Sequence, residues 1–440
     1  MVFIIGNCIF AARNFNLKIL QNMTTLIKSA KIVDASSPHH LKRKDILIVD
    51  GMITKIEDTI IQQDATIVTF NNLHVSLGWF DTSVSLGEPG FEERETIDKG
   101  LRVAAKSGFT SIAVNANTNP VIDTKSSVEF LKNKAKGHAT NLYPIAALTQ
   151  KSEGIEMAEL YDMYQSGALA FADYKRPIAN DNLMKIALLY AQNFGGLVMS
   201  FPKNKAIAGE GIANEGINST KLGLKGIPDL AEHLQIARDL FLLEYTGGKL
   251  HIPTISTAKS VSLIKEAKKK GLQVTCSVSI NNLFLSDDNL HGFDSNFKLN
   301  PPLRTKGDVK SLQKAVKSGV IDIITSDHNP IDIEHKKVEF SQAKDGAIGL
   351  ESAFSVLNSI FEIEEFIAQI TTNPKEIFGL ENTSISEGNI ADVSLFTTDG
   401  EYEFTLENIL STSKNSAFLG KTLKGKAYGI FANNQLVLNQ

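Results

Sequence analysis

GWFDTSVSLGEPG, residues 78–90, is a short apolar run that ends in a Glu-Pro-Gly turn and passes at once into a charged helical segment. Val75, Leu77, Trp79 and Phe80 give it strand character, and Pro89-Gly90 stops it. Joined to the helical segment after it, the run reads as the first strand of an α/β barrel, whose strands open at their C-terminal ends on the face where active sites are built.

Working outward, strand and helix patterns alternate. Strands are expected over 74–84, 109–115, 141–148, 168–173, 197–201, 249–255, 273–280 and 321–327. Between them lie helical segments such as ETIDKGLRVAAKSG from Glu95, DNLMKIALLYAQNFGG from Asp181 and TAKSVSLIKEAKKKG from Thr257, several closed by glycine. Eight such units fit a (β/α)8 TIM-type barrel. An open doubly wound sheet is the alternative, although no Gly-x-Gly-x-x-Gly comes after any of these strands.

The chain ends read differently. LIKSAKIVD, DILIVDGMITKIED and ATIVTF, within 24–70, are short alternating strands, and GNIADVSLFTTD and GKAYGIFANNQLVLNQ return to β patterning within 386–440. Since chain termini often lie close together, both ends are expected to build one composite β domain beside a barrel spanning 71–385. Residues 1–23 are read as an N-terminal extension, with Met23 opening the folded chain; MVFIIGNCIFAA has no basic flank and is too short to span a bilayer.

A chain of 440 residues, 42% hydrophobic, can bury a large core. Its net charge of -4 and pI near 6.2 give no electrostatic case for nucleic acid or an anionic membrane. Two cysteines, Cys8 and Cys276, form no disulfide framework, which suggests a reducing cytosol and a cytoplasmic protein. The lysine run from Lys265 to Lys270 reads as a solvated helix face.

Asp81, Ser83, Ser85, Gly87, Pro89 and Gly90 keep the frame of Asp-x-His-x-His-x-Arg-x-Pro-Gly, so the stretch resembles the signature of the dihydroorotase family of cyclic amidohydrolases, and in particular its non-catalytic homologues. Further blocks carry the likeness in order: NANTNPVID from Asn115, ALAFAD from Ala168, HIPTISTAKSV from His251, FKLNPPLRTKGD from Phe297, TSDHNP from Thr325, DGAIGLE from Asp345 and EGNIADVSLF from Glu387. The resemblance implies a barrel with a small β domain and a metal centre that activates water against an amide carbonyl. Carried over, the ligand positions are Ser83, Ser85, Asp173, Phe201, Thr254 and Asp327, so four of six ligands are replaced. Serine and threonine hydroxyls are not usual zinc ligands, and no His-x-His occurs among the nine histidines. The expectation is therefore no cofactor, or zinc if the site proves functional.

Substrate positions carry over to Asn117, Asn300 and Gly346, while those of the family's substrate-binding arginine and histidine fall on Gly87 and Ile331. Glycine offers no bidentate carboxylate contact. Blander readings stand beside these. Asp173 is a solvated loop acid or a retained ligand; Asp327 is a general base or a cap within the barrel mouth; Asn300-Pro301-Pro302-Leu303-Arg304 is a rigid brace or a remnant of a binding site. His251 reads as a satisfied core histidine and Phe201 as packing. By resemblance, the chain is a non-catalytic relative with a structural or regulatory role in pyrimidine biosynthesis, with aspartate carbamoyltransferase the expected partner and a homo-oligomer the expected state. The alternatives are an active dihydroorotase or another cyclic-amide hydrolase, with Asp327 as the catalytic base, or a barrel that binds a small molecule without converting it.

Overall fold

The structure is a computed structural model that describes residues 24–439; the expected extension over 1–23, with Cys8, lies outside the described residues. Alternating Leu, Ile and Val place β1 (Thr24–Val33), β2 (Arg43–Val49), β3 (Met52–Glu57), β4 (Thr66–Val68) and β5 (His74–Leu77) in one sheet at the N-terminal end of the fold. Next come the barrel strands β6 (Trp79–Val84), β7 (Phe109–Val114), β8 (Asn141–Ala146), β9 (Ala170–Phe171) and β10 (Leu197–Met199). A two-stranded pair, β11 (Ala213–Asn214) and β12 (Gly226–Ile227), interrupts them. The barrel resumes with β13 (Leu250–Ile252), β14 (Val274–Ser279) and β15 (Ile323–Thr325). Finally β16 (Val393–Glu403), β17 (Thr422–Ala432) and β18 (Gln435–Leu438) return to the first sheet, in which β16 pairs with β5 and β5 with β1. Both chain ends thus share one sheet.

The segment expected as a single strand over 74–84 is two strands divided at Gly78. β5 belongs to the terminal sheet and β6 to the barrel. A Cβ on Gly78 would lie 2.0 Å from Thr110 Oγ1 and 2.5 Å from Asp392 Oδ1, so only glycine lets the chain pass between the two sheets there. Trp79 seals the junction. Its ring stacks on Phe354 at 4.8 Å, meets Phe396 at 5.5 Å, and donates from Nε1 to Ser76 Oγ at 2.9 Å.

The eight parallel strands run in the order β6-β7-β8-β9-β10-β13-β14-β15 and make a TIM barrel with helices outside. The doubly wound alternative is set aside because the first and last strands meet. Ser85 N donates to His328 O at 2.7 Å, Val84 bridges His328, and the buried carboxylate of Asp81 accepts from Ser326 N at 3.0 Å and from Thr325 Oγ1. Burial raises the pKa of Asp81. Within the barrel, Phe80, Ala113, Ile145, Leu197, Met199 and Ile323 pack with Phe378. Outside, helices are capped as their sequences demand: Thr96, Asn180, Thr257 and Thr305 each accept a backbone N–H in the first turn.

The strands are shorter than expected, and the candidate residues Asp173, Phe201, Thr254 and Asp327 all lie just beyond them. That placement puts their side chains on loops at the open end of the barrel, the face that carries chemistry in this architecture. Among the described residues no helix is long and apolar enough to cross a membrane.

Candidate functional site

At the centre of the open face the chain turns sharply after β15. Asp327 takes φ 52°, its N–H donating to Thr325 Oγ1 at 3.2 Å, and the turn points its carboxylate inward. There it meets Lys175, which reaches the same spot from the loop after β9, also at positive φ. Nζ to Oδ2 is 2.8 Å, and the two side chains are 11% and 6% exposed. Ser83 Oγ donates to the other carboxylate oxygen at 3.4 Å, and Asn115 Nδ2 donates to both Ser83 and Ser85 at 3.3 Å. Tyr174, beneath the lysine, completes the group, with Nζ 5.2 Å from its ring centroid.

The electrostatics arise from this crowding. Burial raises the pKa of Asp327, and Lys175 opposes that rise. Burial also favours neutral Lys175, but the carboxylate of Asp327 and the hydroxyl of Tyr174 outweigh it and hold the ammonium above its ordinary pKa. The pair is an ion pair in which a lysine stands against the aspartate that metal would otherwise claim. Sequence reading missed Lys175. Its only signal was position, two residues beyond Asp173 in the block ALAFADYK.

The remaining ligand positions make no hydrogen bond or ion pair with this pair. Asp173 is buried, not a solvated loop acid: Oδ1 accepts from Thr149 N at 3.0 Å and Oδ2 from Thr149 Oγ1, so it braces the loop after β8. Its pKa is raised by burial. Thr254, buried at φ 48°, donates its N–H to Ser277 Oγ at 3.0 Å, and Phe201 is a buried apolar ring. Among the described residues no three His, Cys, Asp or Glu side chains gather as a metal site. With serines, threonine and phenylalanine at four positions, one aspartate given to Thr149 and the other to an ammonium, the residues present do not fit zinc.

The substrate positions divide. The turn at Gly87 is closed: its N–H donates to Glu95 O at 2.8 Å, its C=O accepts from Phe91 N at 2.7 Å, and a Cβ would sit 1.8 Å from Phe91 O. No side chain fits there without rebuilding the loop. Ile331 is buried, its N–H held by Asn415 Oδ1 at 3.1 Å. Gly346 donates its N–H to Lys298 O at 3.0 Å, and its C=O accepts from Asn415 Nδ2 at 3.1 Å. By contrast, the side-chain oxygens of Asn117 and Asn300 are buried without a hydrogen-bond partner. The same holds for Asn281 and Asn282.

The Asn300–Arg304 loop is tied into the surrounding fold through Pro302 and Arg304. Asn282 Nδ2 donates to Pro302 O at 3.1 Å, and the buried Arg304 donates to Ser256 Oγ at 3.1 Å and to Asn214 Oδ1 and Ile227 O at 2.9 Å. Glu232 lies 3.8 Å from the guanidinium and itself accepts from Ser256, Thr257 and Ser260. His251 is the core histidine its sequence suggests, its ring nitrogens 2.9 Å from Thr275 Oγ1 and 3.2 Å from Ser277 Oγ.

Known proteins share both this sequence pattern and this fold. A dihydro-orotase-like family profile matches residues 74–260. A dihydroorotase of Geotalea daltonii is 36% identical over 422 residues, covering 94% of this chain and 99% of that protein. One from Ruminiclostridium cellulolyticum is 39% identical over 412 residues, covering 92% and 96%. Among solved structures, an L-hydantoinase (dihydropyrimidinase) from Arthrobacter aurescens superposes with a TM-score of 0.82 at 20% identity, covering 94% of this chain and 96% of the other. A dihydropyrimidinase from Brevibacillus agri gives 0.79 at 21%, covering 95% and 96%. These structures share the fold.

Proposed function

The chain belongs to the dihydroorotase-like family, and on that premise we propose that it is a non-catalytic member, kept in pyrimidine metabolism for a structural or regulatory role. The observation that carries this reading is the Lys175–Asp327 pair. Interconverting dihydroorotate and N-carbamoyl-aspartate requires water to be activated against an amide carbonyl, and the family resemblance assigns that activation to a metal. Here the donor set does not fit the metal, and the one carboxylate at the base position is held against an ammonium. A carboxylate so paired has one oxygen committed to the Lys175 ammonium and the other facing Ser83, so neither is free for a metal, and every 1.36 kcal/mol of lost transition-state stabilisation costs tenfold in rate.

Elemental analysis of tag-free protein, joined to a dihydroorotase assay with and without added Zn2+, tests the reading. Metal far below one equivalent with no turnover is the expected result. Stoichiometric metal accompanied by turnover would overturn it. Aspartate carbamoyltransferase is the first partner to try, on the family resemblance; a mixture that forms no complex and leaves the transferase's assembly and activity unchanged would remove that candidate.

A catalytic reading keeps one argument, since relatives up to 39% identical carry the name dihydroorotase and Asp327 is retained. In that reading Asp327 is the base and Lys175 faces the developing oxyanion. Turnover abolished by Asp327→Ala would favour it.

A further inference from the structure

Beside the Lys175–Asp327 pair lies a cleft of about 540 Å³ whose lining includes Ser152, Asp173, Lys175, Arg176, Lys203 and Lys205. Its size is that of a small-molecule site. Its lining carries four cationic side chains, Lys175, Arg176, Lys203 and Lys205, against two carboxylates, Glu153 and Asp173. Asp173 is engaged by Thr149 and Lys175 by Asp327. Arg176 donates from Nη1 to Ser152 O at 3.3 Å and has no carboxylate at ion-pair distance among the described residues. Lys203 is half-buried, and among the described residues its ammonium makes neither a hydrogen bond nor an ion pair. Asp345 attracts it from farther away, while Arg304 and Lys175 repel it. In the same lining, the hydroxyl of Ser152 is buried without a partner.

A partly desolvated ammonium with no counter-charge in contact, next to a guanidinium and an orphan hydroxyl, lacks an acceptor that carries negative charge at hydrogen-bond distance. We infer that this cleft binds a small organic anion through a carboxylate or phosphate group, held by Lys203 and Arg176 with a hydrogen bond from Ser152. The anion completes the charge balance of the barrel mouth. The inference goes beyond the proposed function, since it requires neither a metal nor turnover and makes the barrel a binding module.

Calorimetric titration of the full chain with inorganic phosphate, and separately with succinate, tests it. Saturable binding of at least one probe is expected, weakening with added salt. Lys203→Met should lower the affinity about tenfold or more. Lys225→Met, which removes a lysine paired with the exposed Glu210, should leave it unchanged. Binding of phosphate alone would assign a phosphorylated ligand, and binding of succinate alone a carboxylate. Should Lys203→Met fail to fold, the exposed Arg176→Met variant carries the same expectation. No saturable heat with either probe, or affinity unaltered in the folded variant, would overturn the inference. The outcome is separable from dihydroorotase activity, which is read in a different assay.

Discussion

Lys175 decides the chemistry of the barrel mouth, and it is a residue whose role the sequence conceals. Lysine is the side chain most often left in water, so one beyond a strand reads as a surface charge. What buries it is the positive-φ backbone at Lys175, which turns the side chain toward Asp327 rather than outward. Asp327 itself was legible, because the family likeness of TSDHNP carries the final aspartate to it; its partner was not, because pairing between loops 152 residues apart leaves no local pattern. The burial of both side chains makes the pair testable. Removing one member of a buried pair costs about 3–5 kcal/mol, because the other is left uncompensated. Lys175→Met should therefore destabilise the protein by about that amount, and Lys175→Met combined with Asp327→Asn should recover most of it. Urea unfolding of the two single variants and the double completes the cycle. If the double variant were as unstable as the sum of the singles, the two side chains would not be coupled and the site would need another description.

At the scale of elements, the order and kind of the strands were readable and their ends were not. Alternation and apolar runs located all eight barrel strands, because parallel strands covered on both faces announce themselves as β-branched and apolar segments. The split at Gly78 was hidden, since a lone glycine in a strand pattern does not announce a change of sheet and the division depends on two sheets approaching it. The pairing of β11 with β12 was likewise invisible in two-residue segments. The loop after β6 shows how element geometry limits chemistry. The signature's arginine position is Gly87, where a Cβ would meet the carbonyl of Phe91 at 1.8 Å, so the turn has closed around the missing side chain. Restoring the residue should not restore its function. Gly87→Arg is expected to lose about 1–3 kcal/mol through overpacking and to confer no dihydroorotase activity. A variant that matched the parent in stability and gained substrate affinity would mean that the loop reopens at little cost.

Over the whole molecule, burial of titratable groups on opposite sides of neutrality sets how stability responds to pH. His251, enclosed by Thr275 and Ser277, has its pKa pulled by burial from 6.5 to about 3, with Lys268 adding to the effect. His328, whose Nδ1 accepts from Gly349 N at 3.1 Å, is pulled by burial to about 4 despite Glu351. Both are folded as neutral rings. Their contribution is present above pH 6.5 and is lost as pH falls toward the folded values, since the unfolded chain takes up protons that the folded one refuses. Glu95 acts in the opposite sense. Burial, reinforced by Glu351 and opposed by hydrogen bonds from Thr412, lifts its pKa from 4.5 to about 7. Its contribution is full below pH 4.5 and is lost as pH rises through about 7. Each displaced pKa unit corresponds to about 1.4 kcal/mol, and the raised carboxyls of Asp81, Asp173, Asp239 and Asp327 act in the same sense as Glu95, so each group is read from the difference its own variant makes. In urea unfolding between pH 4.5 and pH 8, His251→Gln should lose less stability toward acid than the parent, whatever uniform loss that variant also carries. Glu95→Gln should gain more relative to wild type at pH 8 than at pH 5, because it removes a carboxyl that the fold keeps protonated only at some expense. A pH dependence in the His251 variant identical to that of the parent would show that the ring is reached by protons without unfolding, and that the enclosure formed by Thr275 and Ser277 opens in the native state.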